Sequence, residues 1–143
     1  MKIKNFSIET HKKIQKILNK NHFVVYNQDN YHLDFGNDKI IIETYTSERG
    51  DEAGFIIRDK NSNRVYYMFN IAQQILGDKW KKYDQFMNED DVKVMYKLDN
   101  TTEGGFYSFF TILENYCDEI IEGNFEIMHG ENSEFVYGMH RFK

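Results

Sequence analysis

The chain has 143 residues, a formal net charge of −5, 41% hydrophobic residues and 16% aromatic ones. That is enough apolar material to build a core at the commonest single-domain size. No apolar run approaches the ~18 residues that a membrane-spanning helix needs. Residues 1–6 lead into no signal-peptide core, and a single cysteine excludes both an internal disulfide framework and a multi-thiolate metal centre. The expectation is one cytoplasmic globular domain over residues 1–143, with no cofactor, no resident metal and no membrane partner.

In chain order, Ser7 precedes Ile8, Ile14, Ile17 and Leu18, which repeat at helical spacing. They predict a capped amphipathic helix ending near Asn21, with Lys12, Lys13, Lys16 and Lys20 on its exposed face. Residues 22–26 are aromatic and β-branched and read as a strand, closed by a turn at 27–30. Residues 31–35 and 39–45 read as a hairpin. A two-residue Asn37-Asp38 loop pairs Phe35 with Ile40 and Leu33 with Ile42, which keeps one face apolar and sets His32 opposite Glu43 on the other.

After a charged loop at 47–52, residues 54–59 and 64–69 read as a second hairpin. Asn70 is placed to cap a short helix ending at Gly77, and Trp80, Tyr83 and Met87 keep helical spacing for another. Val92, Val94, Tyr96 and Leu98 alternate like a strand, although a helix also fits them. Residues 100–105 read as a loop. The clearest element is a helix over 106–122, with Phe106, Phe109, Phe110, Leu113, Tyr116, Cys117, Ile120 and Ile121 forming its apolar stripe and Gly123 as its C-cap. The tail after Asn124 has the composition of one more hairpin. The fold class is therefore α+β: an antiparallel sheet of four to six strands packed against the N-terminal helix and the long C-terminal helix.

The search for chemistry is short. The five histidines show no helical zinc spacing. Cys117 lies on an apolar stripe, as a buried thiol does. Neither a nucleophile elbow nor a phosphate loop is present. The His32–Glu43 pair is the one acid–base candidate, and it keeps open an alternative: a small hydrolase, or a nucleotide- or sugar-modifying enzyme. In the 47–52 loop, Glu48, Arg49, Asp51 and Glu52 form a dense charged turn whose Arg49 either clamps an anion or pairs with its neighbours. Net negative charge argues against a nucleic-acid partner.

Charge is distributed unevenly. Residues 1–21 carry +5, whereas residues 84–134 hold thirteen acidic side chains against Lys93 and Lys97 alone. Glu114, Asp118 and Glu122 recur every four residues along the predicted long helix, joined by Glu119, and no cation lies within that helix. Like charges at this spacing, crowded toward a helix C-terminus, disfavour the helix. A basic protein partner steered by the acidic face supplies a reason for them.

The lysine-rich first helix, the phrase Ile41-Ile42-Glu43-Thr44-Tyr45-Thr46-Ser47-Glu48-Arg49-Gly50, the aromatic hairpin at 64–69 and the ending Glu122-Gly123-Asn124-Phe125 together resemble the small immunity proteins encoded beside polymorphic bacterial toxins. The resemblance implies a cytosolic, non-enzymatic protein that caps a toxin domain, and it transfers no functional residues. A structural or phage-derived accessory subunit is the third reading.

Overall fold

A computed structural model describes residues 3, 6–48, 52–98 and 101–128. The chain is α+β: a five-stranded antiparallel sheet in the order β1-β2-β3-β4-β5, with helices before and after it. The strands are β1 (Val24–Gln28), β2 (His32–Gly36), β3 (Ile40–Thr46), β4 (Ala53–Asp59) and β5 (Val65–Tyr67). Each joins its neighbour in sequence, the arrangement that short turn-rich connections allow.

Helix α1 (Ile8–Lys20) starts where expected, with the Ser7 side chain accepting from the Thr10 N–H. Its buried residues are Thr10, Lys13, Ile14, Ile17 and Leu18. Helix α2 (Met68–Leu76) begins three residues early and takes the end of the predicted strand 64–69, so β5 is only three residues long. Residues 77–85 form two short 3-10 turns rather than a second α-helix.

Two elements depart from local pattern. Residues 92–97 belong to helix α3 (Glu89–Lys97), not to a strand, and Leu98 is its C-cap. The Asn88 side chain accepts from the Asp91 N–H at 2.8 Å, and Glu89, Asp90 and Asp91 sit where the helix dipole favours carboxylates. Residues 101–105, expected as a loop, are the first turn of helix α4 (Thr101–Tyr116). Glycines at 104 and 105 disfavour a helix by about 1 kcal/mol each, and the burial of Glu103, Gly104, Phe106 and Tyr107 overrides them. The long helix then breaks at Cys117, and a four-residue helix α5 (Asp118–Ile121) follows. Gly123 closes it at φ 90°, a left-handed conformation suited to glycine. Residues 126–128 are a 3-10 turn, not a strand; the rest of the predicted tail hairpin lies outside the described residues.

The helices share one face of the sheet. Leu33, Phe35, Ile40, Ile42 and Ile57 are fully buried there beneath Ile14, Ile17, Phe110, Ile112 and Leu113. Phe55 is the aromatic hub, with Phe106, Phe109 and Phe110 at ring-centroid distances of 6.1, 5.7 and 5.0 Å. These offset and edge-on contacts suit aromatic quadrupoles.

The β2–β3 register differs from the expected one by two residues. Phe35 lies opposite Ile42, Leu33 opposite Thr44, Asp34 opposite Glu43 and His32 opposite Tyr45. The Asn37 side chain accepts from the Lys39 and Ile40 N–H groups at 2.8 and 2.9 Å, and the Asn37 N–H donates to the Ile40 carbonyl. That wider turn displaces β3 by two positions. Because strand side chains alternate, a two-residue slip keeps every apolar residue on the core face. Gly36 is required here: a Cβ would fall 2.1 Å from the Ile40 carbonyl oxygen.

Candidate functional site

The acidic residues singled out from sequence divide into an inner and an outer set. Glu114 belongs to the inner one. It is only 6% exposed, and its carboxylate meets Lys13 Nζ at 2.9 Å and Lys16 Nζ at 3.1 Å. Lys13, expected on an exposed face, is 7% exposed and also meets Asp91 at 2.9 Å. Tyr107 completes the cluster by donating its hydroxyl to Asp91 at 2.6 Å, with Lys13 Nζ lying 5.0 Å from the centre of its ring. Lys20 Nζ donates to the Glu114 carbonyl. Two neighbouring acids follow the same logic. Asp91 is buried, and so is Glu103, which accepts from the Ser7 N–H, the Ser7 hydroxyl and the Thr10 hydroxyl.

The expectation that nothing compensates the acidic helix is thereby corrected. The compensating cations come from α1, and Lys13 and Glu114 are 101 positions apart. Glu114 has a folding role and presents no carboxylate to a partner.

Titration of this cluster has a defined sign. Burial pushes the Glu114 carboxyl up, but the hydrogen bonds and charges of Lys13 and Lys16 outweigh it and hold the group below its ordinary value of 4.5. A depressed carboxyl contributes stability that is fully present above the unfolded value and is lost as pH falls through the folded one. Denaturant midpoints measured downward from neutral pH will therefore begin to fall near pH 4.5 and continue falling below it. Glu114→Gln will be less stable at neutral pH and will show a shallower acid slope. An unchanged slope in that variant would assign the acid transition elsewhere. Tyr107 moves in the opposite direction: burial, then its hydrogen bond to Asp91, raises its phenol, which remains a proton donor.

The outer set is Asp118, Glu119 and Glu122, all exposed on or beside α5, and Glu126 extends it. No lysine or arginine lies between residues 118 and 126. Among the described residues none of these four forms an ion pair. Cys117, which begins this segment, is buried, and burial pushes its thiol up to about 12, so it is a packing residue.

In the charged loop, Arg49 and Asp51 lie outside the described residues; Glu48 and Glu52 are exposed. The loop ends are clipped together, with the Ser47 N–H donating to the Glu52 carbonyl and the Glu52 N–H donating to Ser47 Oγ.

The His32–Glu43 pair is not directly cross-strand. His32 stacks on Tyr45 at 6.3 Å and places Nδ1 3.0 Å from Asp29 Oδ1, while Glu43 faces Asp34. Both nevertheless line one open depression of about 350 Å3 on the face away from the helices, with Asn27, Asp34 and Tyr45. The Tyr31 N–H and then the His32 side chain hold the Asp29 carboxyl below its usual range. A carboxylate on Nδ1 orients the imidazole and leaves Nε2 to accept a proton. Among the described residues, no group of three or more His, Cys, Asp or Glu side chains is arranged to hold a metal ion, and no helix is long and apolar enough to cross a membrane.

Comparison with protein-family models, curated proteins and solved structures finds no match for this chain. The function must be argued from its own residues.

Sequence reasoning missed Asn27, Asp34 and Tyr45 in the depression, and Asp29 beside His32. The signal for Asp34 was available only in the register: shifting the hairpin by two residues exchanges His32 for Asp34 opposite Glu43.

Proposed function

We propose that this protein is a non-enzymatic binding protein of the immunity type, which acts in the cytoplasm by capping a basic protein partner such as a nuclease toxin domain. The observation that carries the reading is the exposed quartet Asp118, Glu119, Glu122 and Glu126. Asp91, Glu103 and Glu114, from the same acidic stretch, direct their carboxylates inward against α1, and folding accounts for them. Among the described residues, no ion pair gives the quartet such a role. Clustered surface carboxylates speed encounter with a positive partner and set its orientation.

The test is co-expression with a basic toxin domain encoded beside this chain. Protection of growth is the expected outcome, and undiminished killing would sink the reading. For the surface itself, the double reversal Asp118→Lys and Glu122→Lys alters exposed positions only. It should slow association with the captured partner at least about 10-fold at low salt, with a smaller effect at ~0.15 M salt. Unchanged association kinetics would remove these residues from the account.

A further inference from the structure

An antiparallel sheet packed on one side alternates apolar residues toward the core with polar ones toward water. Strands β4 and β5 depart from that alternation. Of the buried hydrophobic residues among those described, Ile56 and Val65 alone stand outside the core between sheet and helices. The register puts both on the other face. Ile57 pairs with Ile42 of the core, so Ile56 faces away from the helices opposite Glu43, and Val65 does the same opposite Arg58. Ile56 is nevertheless only 6% exposed, Val65 5% and Glu43 7%. The helices pack on the opposite face, so they do not supply this burial.

Neighbouring side chains on the sheet do not enclose Val65 either. It lies on β5, the last strand of the described sheet, with a strand on one side only. Arg58, its cross-strand neighbour, reaches toward the turn and donates to the Asn63 side chain at 2.6 Å. Tyr67, next on the same face, turns to stack on Phe69 at 5.6 Å. The sheet's outer apolar positions, Ile41, Ile56 and Val65, adjoin one another across β3, β4 and β5, a contiguous patch of the kind that marks a contact surface.

The chain itself supplies an occupant. Phe125 stacks at 4.7 Å on Tyr66, the β5 residue between Val65 and Tyr67, and Met128 is buried in the core. The backbone therefore leaves the core beside the β5 edge, with 15 residues of sequence still to come. Fifteen residues reach up to ~50 Å when extended, and neighbouring strands lie only about 5 Å apart, so β5, β4 and β3 are all within range. The last nine of those residues include Phe135, Val136, Tyr137, Met139 and Phe142, apolar groups that gain by leaving water. Tethering favours this segment over a second copy or a separate partner, because a linked segment binds at an effective concentration that a free molecule seldom meets.

We propose that the chain's own C-terminal segment, residues 129–143, returns around the β5 edge and packs apolar side chains over Ile41, Ile56 and Val65. The outer face of β4 and β5 is then an internal contact of this chain, and a partner reaches it only by displacing the segment. The inference stands independently of the proposed binding function.

The experiment uses the full chain with isotope-labelled isoleucine and valine methyl groups. Through-space NMR cross-peaks should connect the Ile56 and Val65 methyls to ring protons of Phe135, Tyr137 or Phe142. A soluble gadolinium chelate should spare those methyls as it spares the core methyls of Ile42 and Ile57, and should broaden the exposed Val24. The full-length variant Phe135→Ser, Val136→Ser, Tyr137→Ser, Met139→Ser, Phe142→Ser should lose the cross-peaks and leave Ile56 and Val65 as strongly broadened as Val24, with Ile42 and Ile57 still spared. Wild-type Ile56 and Val65 methyls that lack these cross-peaks, or that broaden like Val24, would overturn the proposal without recourse to any variant. Continued protection of both methyls in the serine variant would overturn it too. Cross-peaks arising only between differently labelled copies in a mixed sample would assign the face to a second copy, which equally removes the C-terminal segment from it.

Discussion

Replacement of Lys13 by methionine will lower the unfolding free energy by about 3 to 5 kcal/mol, as loss of one partner from a buried ion cluster does. Among the described residues Lys13 is the only buried cation between Asp91 and Glu114, and methionine fills the volume of its stem without its charge. Two carboxylates are then left facing each other beside Tyr107, with the exposed Lys16 alone at Glu114. Lys16→Met is the matched comparison. It removes an exposed ammonium from the same carboxylate and should cost no more than about 1 kcal/mol. Urea denaturation of both variants measures the difference. Similar midpoints for the two would mean that the buried cluster is already solvated and does not pin α1 to α4. A Lys13→Met, Asp91→Asn, Glu114→Gln triple variant should recover part of the loss, since removing all the charges leaves none of them uncompensated.

Glu103→Leu should be comparably damaging, at about 3 to 5 kcal/mol. Its carboxylate accepts from the Ser7 N–H, the Ser7 hydroxyl and the Thr10 hydroxyl, all at the start of α1. Orphaning buried donors costs about 1–3 kcal/mol each, and the same carboxylate opposes the positive end of the α1 dipole. Glu103→Gln keeps an acceptor and should recover a substantial share of the stability. Hydrogen exchange at the first turn of α1 gives a local readout: those amides should exchange faster in Glu103→Leu, whereas the β3 and β4 amides should exchange only as the global stability requires. Unchanged protection at Ser7–Thr10 would remove Glu103 from its anchoring role.

These two sites explain how the opposite charges of the chain's two ends are used. Part of its basic N-terminal segment is addressed to part of its acidic later segment, through Lys13 and Lys16 with Asp91 and Glu114. Separation by 96 positions, as between Ser7 and Glu103, gives no periodic signal, so the sequence reading assigned the lysines to solvent and the carboxylates to a partner. In the structure Lys13, Asp91, Glu103 and Glu114 are buried, whereas Asp118, Glu119, Glu122 and Glu126 are exposed. Their exposure follows from the break at Cys117: α5 starts a new axis, and the four-residue spacing of Glu114, Asp118 and Glu122 no longer defines one face.

Elements whose signal is local were legible in the residues themselves. Ser7 and the isoleucine spacing set α1, alternation marked β2, β3 and β4, and Phe106, Phe110 and Leu113 identified the core face of α4, because side-chain period reports which face is buried. Period cannot report which of two registers of equal parity is adopted, and the Asn37 turn decided that through two hydrogen bonds to its side chain and one between backbone groups. Nor can it report contacts between helices far apart in the chain. The α3 assignment, the helical Gly104-Gly105 pair and the burial of Lys13, Asp91, Glu103 and Glu114 were settled by packing, where desolvation compels each buried charge to find a partner. The outward placement of Ile56 and Val65 is likewise set by strand pairing, which only the assembled sheet determines.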